Sequence, residues 1–162
     1  MSTAVIRIDN RLVHGQILES WVPFLKASCI IVVSDQVAGD LFRESVIKMA
    51  IPRDIDVYVF GIEGFSEWHA LGKCDDDRTI VLFSDIADVL RAYRRGVRFG
   101  KLNVGNVHDG EGKCRLSSSI FLNDQEITEL TMLADSGIDV EIRCVPRDKS
   151  LNYRDVIHNL NK

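Results

Sequence analysis

The stretch AVIRIDNRLVHGQILESWVPFL, residues 4–25, changes its apolar period once, and that change decides the fold. Ala4 to Ile8 is short and β-rich, so it reads as a strand. Ile17, Leu18, Trp21, Val22 and Leu25 then recur at spacings that place an apolar stripe on a helix beginning near Gln16. Between them, the connection Asp9 to Gln16 carries a carboxylate, a guanidinium and an imidazole.

The same alternation continues outward from this unit. Ile30 to Val33 predicts a strand, and Asp40 to Ala50 holds Leu41, Val46, Ile47 and Ala50 at helical spacing before Pro52. Ile55 to Phe60 predicts a strand, Phe65 to Leu71 a helix, and Thr79 to Phe83 a strand. Ser84 is expected to cap a helix that ends at Gly96. Lys101 to Val104 leads as a strand into the Gly-rich segment Gly105 to Gly112, and Ser117 to Leu122 predicts another strand. Asn123 with Glu126 three residues later forms a capping box for a helix that stops at Gly137. A strand at Asp139 to Val145 and a helix at Ser150 to Leu160 complete the chain. Strands separated by helices imply βαβ crossovers. The expectation is therefore a three-layer α/β fold, a mainly parallel sheet with helices on both faces and room for an antiparallel edge strand. With no linker, repeat or low-complexity tract, residues 1–162 read as one domain.

Composition narrows the function classes. The 162 residues are 46% hydrophobic and 27% charged, enough for a packed core beneath a polar surface. A formal charge of −4 without a cationic cluster argues against nucleic acid as a partner. The apolar run at Cys29 to Val33 is far shorter than the roughly 20 residues a spanning helix needs, and MSTAVIRIDN has no signal-peptide core, so a cytoplasmic location is expected. The cysteines, Cys29, Cys74, Cys114 and Cys144, are widely spaced and read as buried structural thiols, with Cys74 to Asp77 a solvated loop rather than a zinc site. No metal ligand set is expected.

In parallel α/β sheets ligands bind beyond the carboxyl ends of the strands. Two strand-to-helix connections stand out there, Asp9 to Gln16 and Asn103 to Gly112. His14 at a helix start faces free N–H groups and the positive dipole end, which favour a neutral, nucleophilic imidazole, although Asp9 opposes this. A phosphoryl group on the ring would be held by that terminus and by the fork of Arg11, with Gly15 allowing close backbone approach. Asp9 would orient the imidazole or hold Arg11 in place. The plainer alternative is a polar residue at a helix start beside a surface ion pair worth less than about 1 kcal/mol.

Arg7-Ile-Asp-Asn-Arg-Leu-Val-His-Gly-Gln16 closely resembles the active-site motif R-I-D-D-R-L-I-H-G-Q of the IIB components of mannose/fructose/sorbose-type bacterial sugar phosphotransferase systems (PTS). The resemblance extends through Trp21, Met49 to Pro52, Leu102 to Asn106 and Val140 to Pro146. It implies that His14 accepts a phosphoryl group from a phosphohistidine on a IIA protein and passes it to a sugar delivered by the membrane components IIC and IID. Arg11 would stabilise the phosphohistidine, Asp9 would support the pair, and Gly15 and Gln16 would bind phosphate. Nδ1 would be the acceptor nitrogen, and no metal or nucleotide cofactor would be needed. The other reading within this resemblance is a phospho-accepting regulatory module that signals without transporting sugar.

The sequence departs from the motif at Asn10, which replaces a frequent Asp, and at Asn106, where the family often has Gly. Asn106 and His108 are candidates for the rim of the site, His108 more often being a locally bonded turn residue. Gly110 to Lys113 fails as a P-loop because Val107 and Cys114 stand where Gly and Ser or Thr are required. His69 and His158 are expected on helix surfaces, and Arg91, Arg94, Arg95 and Arg98 on a solvated face.

Overall fold

The computed structural model describes residues 4–73 and 78–162, so the Cys74 to Asp77 loop reading lies outside the described residues. Strands β1 (Val5–Asp9), β2 (Cys29–Val33), β3 (Asp56–Phe60), β4 (Thr79–Phe83), β5 (Lys101–Asn106), β8 (Asp139–Ile142) and β9 (Leu151–Asn152) form one sheet in the order β3-β2-β4-β1-β5-β8-β9. Every pairing is parallel except β9 on β8, which is the antiparallel edge. A separate hairpin joins β6 (Cys114–Arg115) and β7 (Phe121–Leu122). The strand expected from Ser117 is thus confined to its last residues.

Alternation within the strands sends side chains to two apolar layers. Ile30, Val32, Ile80 and Leu82 meet Ile17, Trp21 and Val37, and so lie under a π-helical turn (Ile17–Trp21), α1 (Val22–Leu25) and α2 (Asp35–Ala38). On the same face Ile47 of α3 (Leu41–Ala50) packs at the margin. Ile8, Ile31, Val81, Phe83, Leu102 and Val104 belong to the opposite layer, with residues of α4 (Ile62–Ala70), α5 (Ile86–Arg94), α6 (Asp124–Asp135) and α7 (Tyr153–Leu160). The three-layer expectation holds.

Several boundaries differ from the sequence reading for local reasons. Asp85, not Ser84, caps α5, its carboxylate accepting from the Asp88 N–H at 2.9 Å. α4 begins at Ile62 rather than Phe65 because Asp35 Oδ1, distant in sequence, accepts from the Ile62 N–H at 2.9 Å. Leu151 and Asn152 leave the expected last helix to form β9, and Asn152 then caps α7. Among the thiols, Cys114 is exposed and Cys29 and Cys144 only half-buried, correcting the reading of all as buried. His158 is exposed as expected, whereas His69 is half-buried against Phe65.

β1 and β5 are neighbours whose connections leave in opposite directions, toward β2 and toward β8. A crevice forms at such a switch point beyond the strand ends. The capping box at Asn123 is present in both directions, with bonds of 2.8 and 3.0 Å to Glu126. Asn123→Ala is expected to lower unfolding free energy by about 1 kcal/mol in urea titration, with the slope unchanged.

Candidate active site

The crevice is built on Asp9, the last residue of β1, whose side chain is fully buried. Its Oδ1 accepts from the Arg11 backbone N–H at 3.0 Å, closing a tight Asx turn. Its Oδ2 accepts from Arg7 Nη2 at 3.0 Å, His14 Nε2 at 2.7 Å and Asn106 Nδ2 at 3.0 Å. Burial pushes this carboxyl up, but the His14 bond, the Arg7 charge and the Asn106 bond together hold it below the ordinary carboxylate range. Asp9 is therefore an anion at neutral pH.

That fixes the imidazole. An ionised carboxylate only accepts, so the hydrogen at His14 Nε2 points to Asp9 and the neutral ring carries its lone pair on Nδ1. Nδ1 is buried and has no hydrogen-bond partner among the described residues. The His14 side chain is 13% exposed, so the ring is mostly enclosed and its basic nitrogen is unbonded.

Asn106 reaches Asp9 through a bulge. Arg7 pairs with Asn103 and Ile8 with Val104, but Asp9 pairs with Asn106, so β5 gains one residue at Gly105. The extra residue re-aims the strand end and puts the Asn106 amide beside the carboxylate. Gly105 is needed for a second reason, since a Cβ there would lie 2.0 Å from Arg7 Cζ.

Arg7 is the buried centre of this arrangement, its side chain fully enclosed. Nη1 donates to Asn103 Oδ1 at 2.6 Å and the Arg143 carbonyl at 3.1 Å, while Nη2 also reaches the Cys144 carbonyl at 2.9 Å. The Trp21 ring lies 5.0 Å from its Cζ, and the indole N–H bonds the same Cys144 carbonyl at 2.9 Å. Asn103 Nδ2 donates to Glu141 Oε1 at 2.9 Å, and Glu141 Oε2 accepts from Ser150 and Lys101 at 2.8 and 3.0 Å. A polar chain thus crosses the sheet face from Lys101 to His14.

Two roles were open to Asp9 from the sequence, orienting the imidazole or holding Arg11. Its side chain bonds the imidazole, and the guanidinium it pairs with is Arg7. Arg11 is exposed, its Nη2 bonded to Gln16 Oε1 at 2.9 Å, and Gln16 Oε1 also lies 3.4 Å from Asn106 Nδ2. A Cβ added at Gly15 would meet nothing within 4 Å, so no contact within the protein itself requires a glycine there. His108 is exposed, its carbonyl bonded by Lys113, and it contributes no side-chain bond to the crevice among the described residues. Leu12 has φ 58°, a left-handed conformation that its buried side chain stabilises by packing with Ile17 and Trp21.

The sequence matches the family described as PTS system sorbose subfamily IIB component over residues 3–162. The chain belongs to that family. It is 31% identical to the sorbose-specific EIIB component of Klebsiella pneumoniae over 158 residues, covering 98% of this chain and 96% of that one. The mannose-specific EIIAB component of Escherichia coli strain K12 is 30% identical over 162 residues, covering all of this chain and 50% of that protein, so the chain spans about half the length of that relative. The solved IIBSor domain of the Klebsiella pneumoniae sorbose permease superposes with a TM-score of 0.87 at 32% identity, covering 98% of each chain.

In this IIB component, Arg7, which opens the motif, and Asn103, Gly105 and the Cys144 carbonyl have parts in the site to which the sequence assigned no role. One signal was legible, a lone arginine inside the apolar strand Ala4 to Ile8. Gly105→Ala is expected to displace the buried guanidinium and cost about 3 kcal/mol in denaturant unfolding. Asp9, with its carboxyl depressed in the folded state, contributes stability that is complete above the unfolded value near 3.9 and is lost as pH falls through the lower folded value. The stability gap between the wild type and Asp9→Asn should therefore be widest near neutral pH and close through that acid window, measured by urea titration at each pH.

Proposed function

We propose that His14 is the phosphoryl carrier of a sugar phosphotransferase system, with residues 1–162 acting as one IIB domain in the cytoplasm, transiently at the inner face of the membrane. The carrying observation is the Asp9 bond to Nε2 at 2.7 Å, which leaves Nδ1 as the unbonded nitrogen; it is buried, so the ring shifts outward when a donor reaches it. Nδ1 attacks the phosphorus of a phosphohistidine on a IIA protein. The P–N bond to the donor breaks, its electron pair leaves with the donor imidazole, and a P–Nδ1 bond forms. The ring keeps its Nε2 proton, and the positive charge it gains is offset by the Asp9 carboxylate 2.7 Å away. Arg11 turns its fork from Gln16 to the phosphoryl oxygens, an exchange its exposure permits. At the IIC and IID membrane components a sugar hydroxyl attacks the phosphorus, the P–Nδ1 pair returns to the ring, and the hydroxyl proton passes to solvent.

The family supports the donor and acceptor chemistry, and the fused EIIAB relative supports a IIA protein as donor. Among the described residues no helix is long and apolar enough to cross a membrane. Gln16, bonded through its Oε1 to Arg11, and the backbone at Gly15, next in the chain to His14, are the further groups assigned to the phosphoryl oxygens.

Incubation with phosphorylated IIA should give an acid-labile phosphoprotein carrying phosphorus on Nδ1, read by nitrogen-edited NMR. His14→Ala should not label, and label persisting in it overturns the assignment. Asp9→Asn, which keeps the shape but no longer fixes the tautomer, should label about 100-fold more slowly. Arg11→Gln should shorten the lifetime of the phosphorylated form rather than abolish its formation.

A further inference from the structure

α3 (Leu41–Ala50) does not bury its apolar residues as a surface helix ordinarily does. Leu41 is 80%, Phe42 77%, Val46 50% and Met49 85% exposed. Phe42, Val46 and Met49 follow at i, i+4 and i+7, so they form one stripe about 10 Å long. Ile47 alone reaches the core margin. Contiguous exposed apolar surface of this kind marks an interaction site.

The stripe runs into the His14 connection. Phe42, Arg43, Val46 and Ile47 line a groove of 220 Å³ whose opposite wall is Arg11 and Leu12. Its charged residues are Arg11 and Arg43, and neither has an acidic partner among the described residues. We propose that this groove and the α3 stripe are the docking surface for the phosphodonor protein, through an apolar patch and acidic side chains flanking the donor's phosphohistidine. The inference rests on the carrier role of His14.

Three considerations select that occupant. In-line transfer requires the donor phosphorus to come within about 3 Å of the acceptor nitrogen, so the donor surface must cover the connection that bears Arg11. A standard interface of about 800 Å² per partner has a radius of roughly 16 Å, and residues sharing a groove with Arg11 fall inside it. The second consideration is charge. Before transfer the phosphoryl group is on the donor and meets Arg11 and Arg43. After transfer it is on His14, and the attraction that drew the donor in is neutralised from within, which favours release. Third, a second copy of this chain laid on the same surface would bring a groove whose own charged residues are Arg11 and Arg43, and so no acidic complement from that groove.

The test compares two donors on the same variants. Phe42→Glu and Met49→Glu alter exposed positions, and unchanged melting temperatures will show that the fold is kept. With phosphorylated IIA the KM for the donor should rise at least about tenfold, while labelling by the small donor phosphoramidate stays at the wild-type rate. Arg43→Glu should act likewise and flatten the salt dependence of the donor reaction. Donor labelling of all three variants at the wild-type rate overturns the docking surface and leaves His14 as carrier. The same is true if the variants only convert a wild-type dimer to monomer in sedimentation, since the stripe then serves self-association. If neither donor labels the wild type at His14, the carrier role fails, and the docking surface with it.

Discussion

The buried ion pair between Arg7 and Asp9 is the constraint around which the rest is arranged. Two charges taken out of water are costly, and the loss is offset only when the geometry is good and the remaining donors and acceptors are satisfied. The structure meets both conditions nearly in full. Arg7 has acceptors from Asp9, Asn103 and the Arg143 and Cys144 carbonyls, and Asp9 has four donors. Of the two side chains, only Arg7 Nε is left without a partner among the described residues. Much of the local sequence follows from this requirement. Gly105 must lack a side chain to admit the guanidinium, β5 must bulge to deliver Asn106, and the β8 exit must turn its carbonyls inward. A pair like this adds little to stability over a hydrophobic alternative, and its value lies in orientation. Asp9 is held with one face toward Nε2, and the ring is thereby committed to presenting Nδ1.

The two arginines of the motif divide the work by burial. Arg7, fixed and enclosed, keeps the carboxylate ionised and aimed. Arg11, exposed and joined to Gln16 by one hydrogen bond to a neutral amide, is free to move onto an arriving anion. An anion arriving at the ring would meet a mobile guanidinium, Arg11, with a fixed, ionised carboxylate behind the imidazole, an arrangement that asks little reorganisation of the protein. The polar chain behind Arg7, through Asn103 to Glu141, Ser150 and Lys101, keeps the cation in place from the far side. Glu141 is itself held below its ordinary value, burial being outweighed by bonds from Ser150, Lys101 and Asn103.

What was legible in the sequence divides along the same line of local against distant. The mainly parallel sheet, both covered faces and the Asn123 cap could be read because period, turn residues and capping spacing are local signals. The start of α4 could not, since its first N–H is bonded by Asp35, nor could β9, which exists only because β8 offers an edge. At the site, Asp9 and His14 could be singled out from their place at the end of a strand and the start of a helix. Arg7's place depended on where Asn103, Gly105 and Cys144 arrive in space, and single-sequence pattern carries no such register. His108 illustrates the converse. Its residue type and Gly-rich setting resembled an active-site rim, but its chain segment turns away into the β6-β7 hairpin beyond the bulge.

The net charge of −4 describes the molecule poorly at the one place where charge matters. Around α5 the expected basic run is partly offset, Arg91 by Asp35 and Asp88 and Arg95 by Glu63, while Arg98 bonds the Tyr93 and Val97 carbonyls. Arg11 and Arg43 have no acidic partners among the described residues, and they stand on either side of the groove between α3 and the connection that bears His14. A groove whose charged residues are both arginines attracts an anionic partner locally although the chain as a whole is negative. The apolar stripe of α3 adjoins that region. Hydrophobic contact is insensitive to the phosphorylation state of the partners, whereas the arginine attraction is not. The pair of features therefore separates a constant part of recognition from a part that the transfer itself switches off.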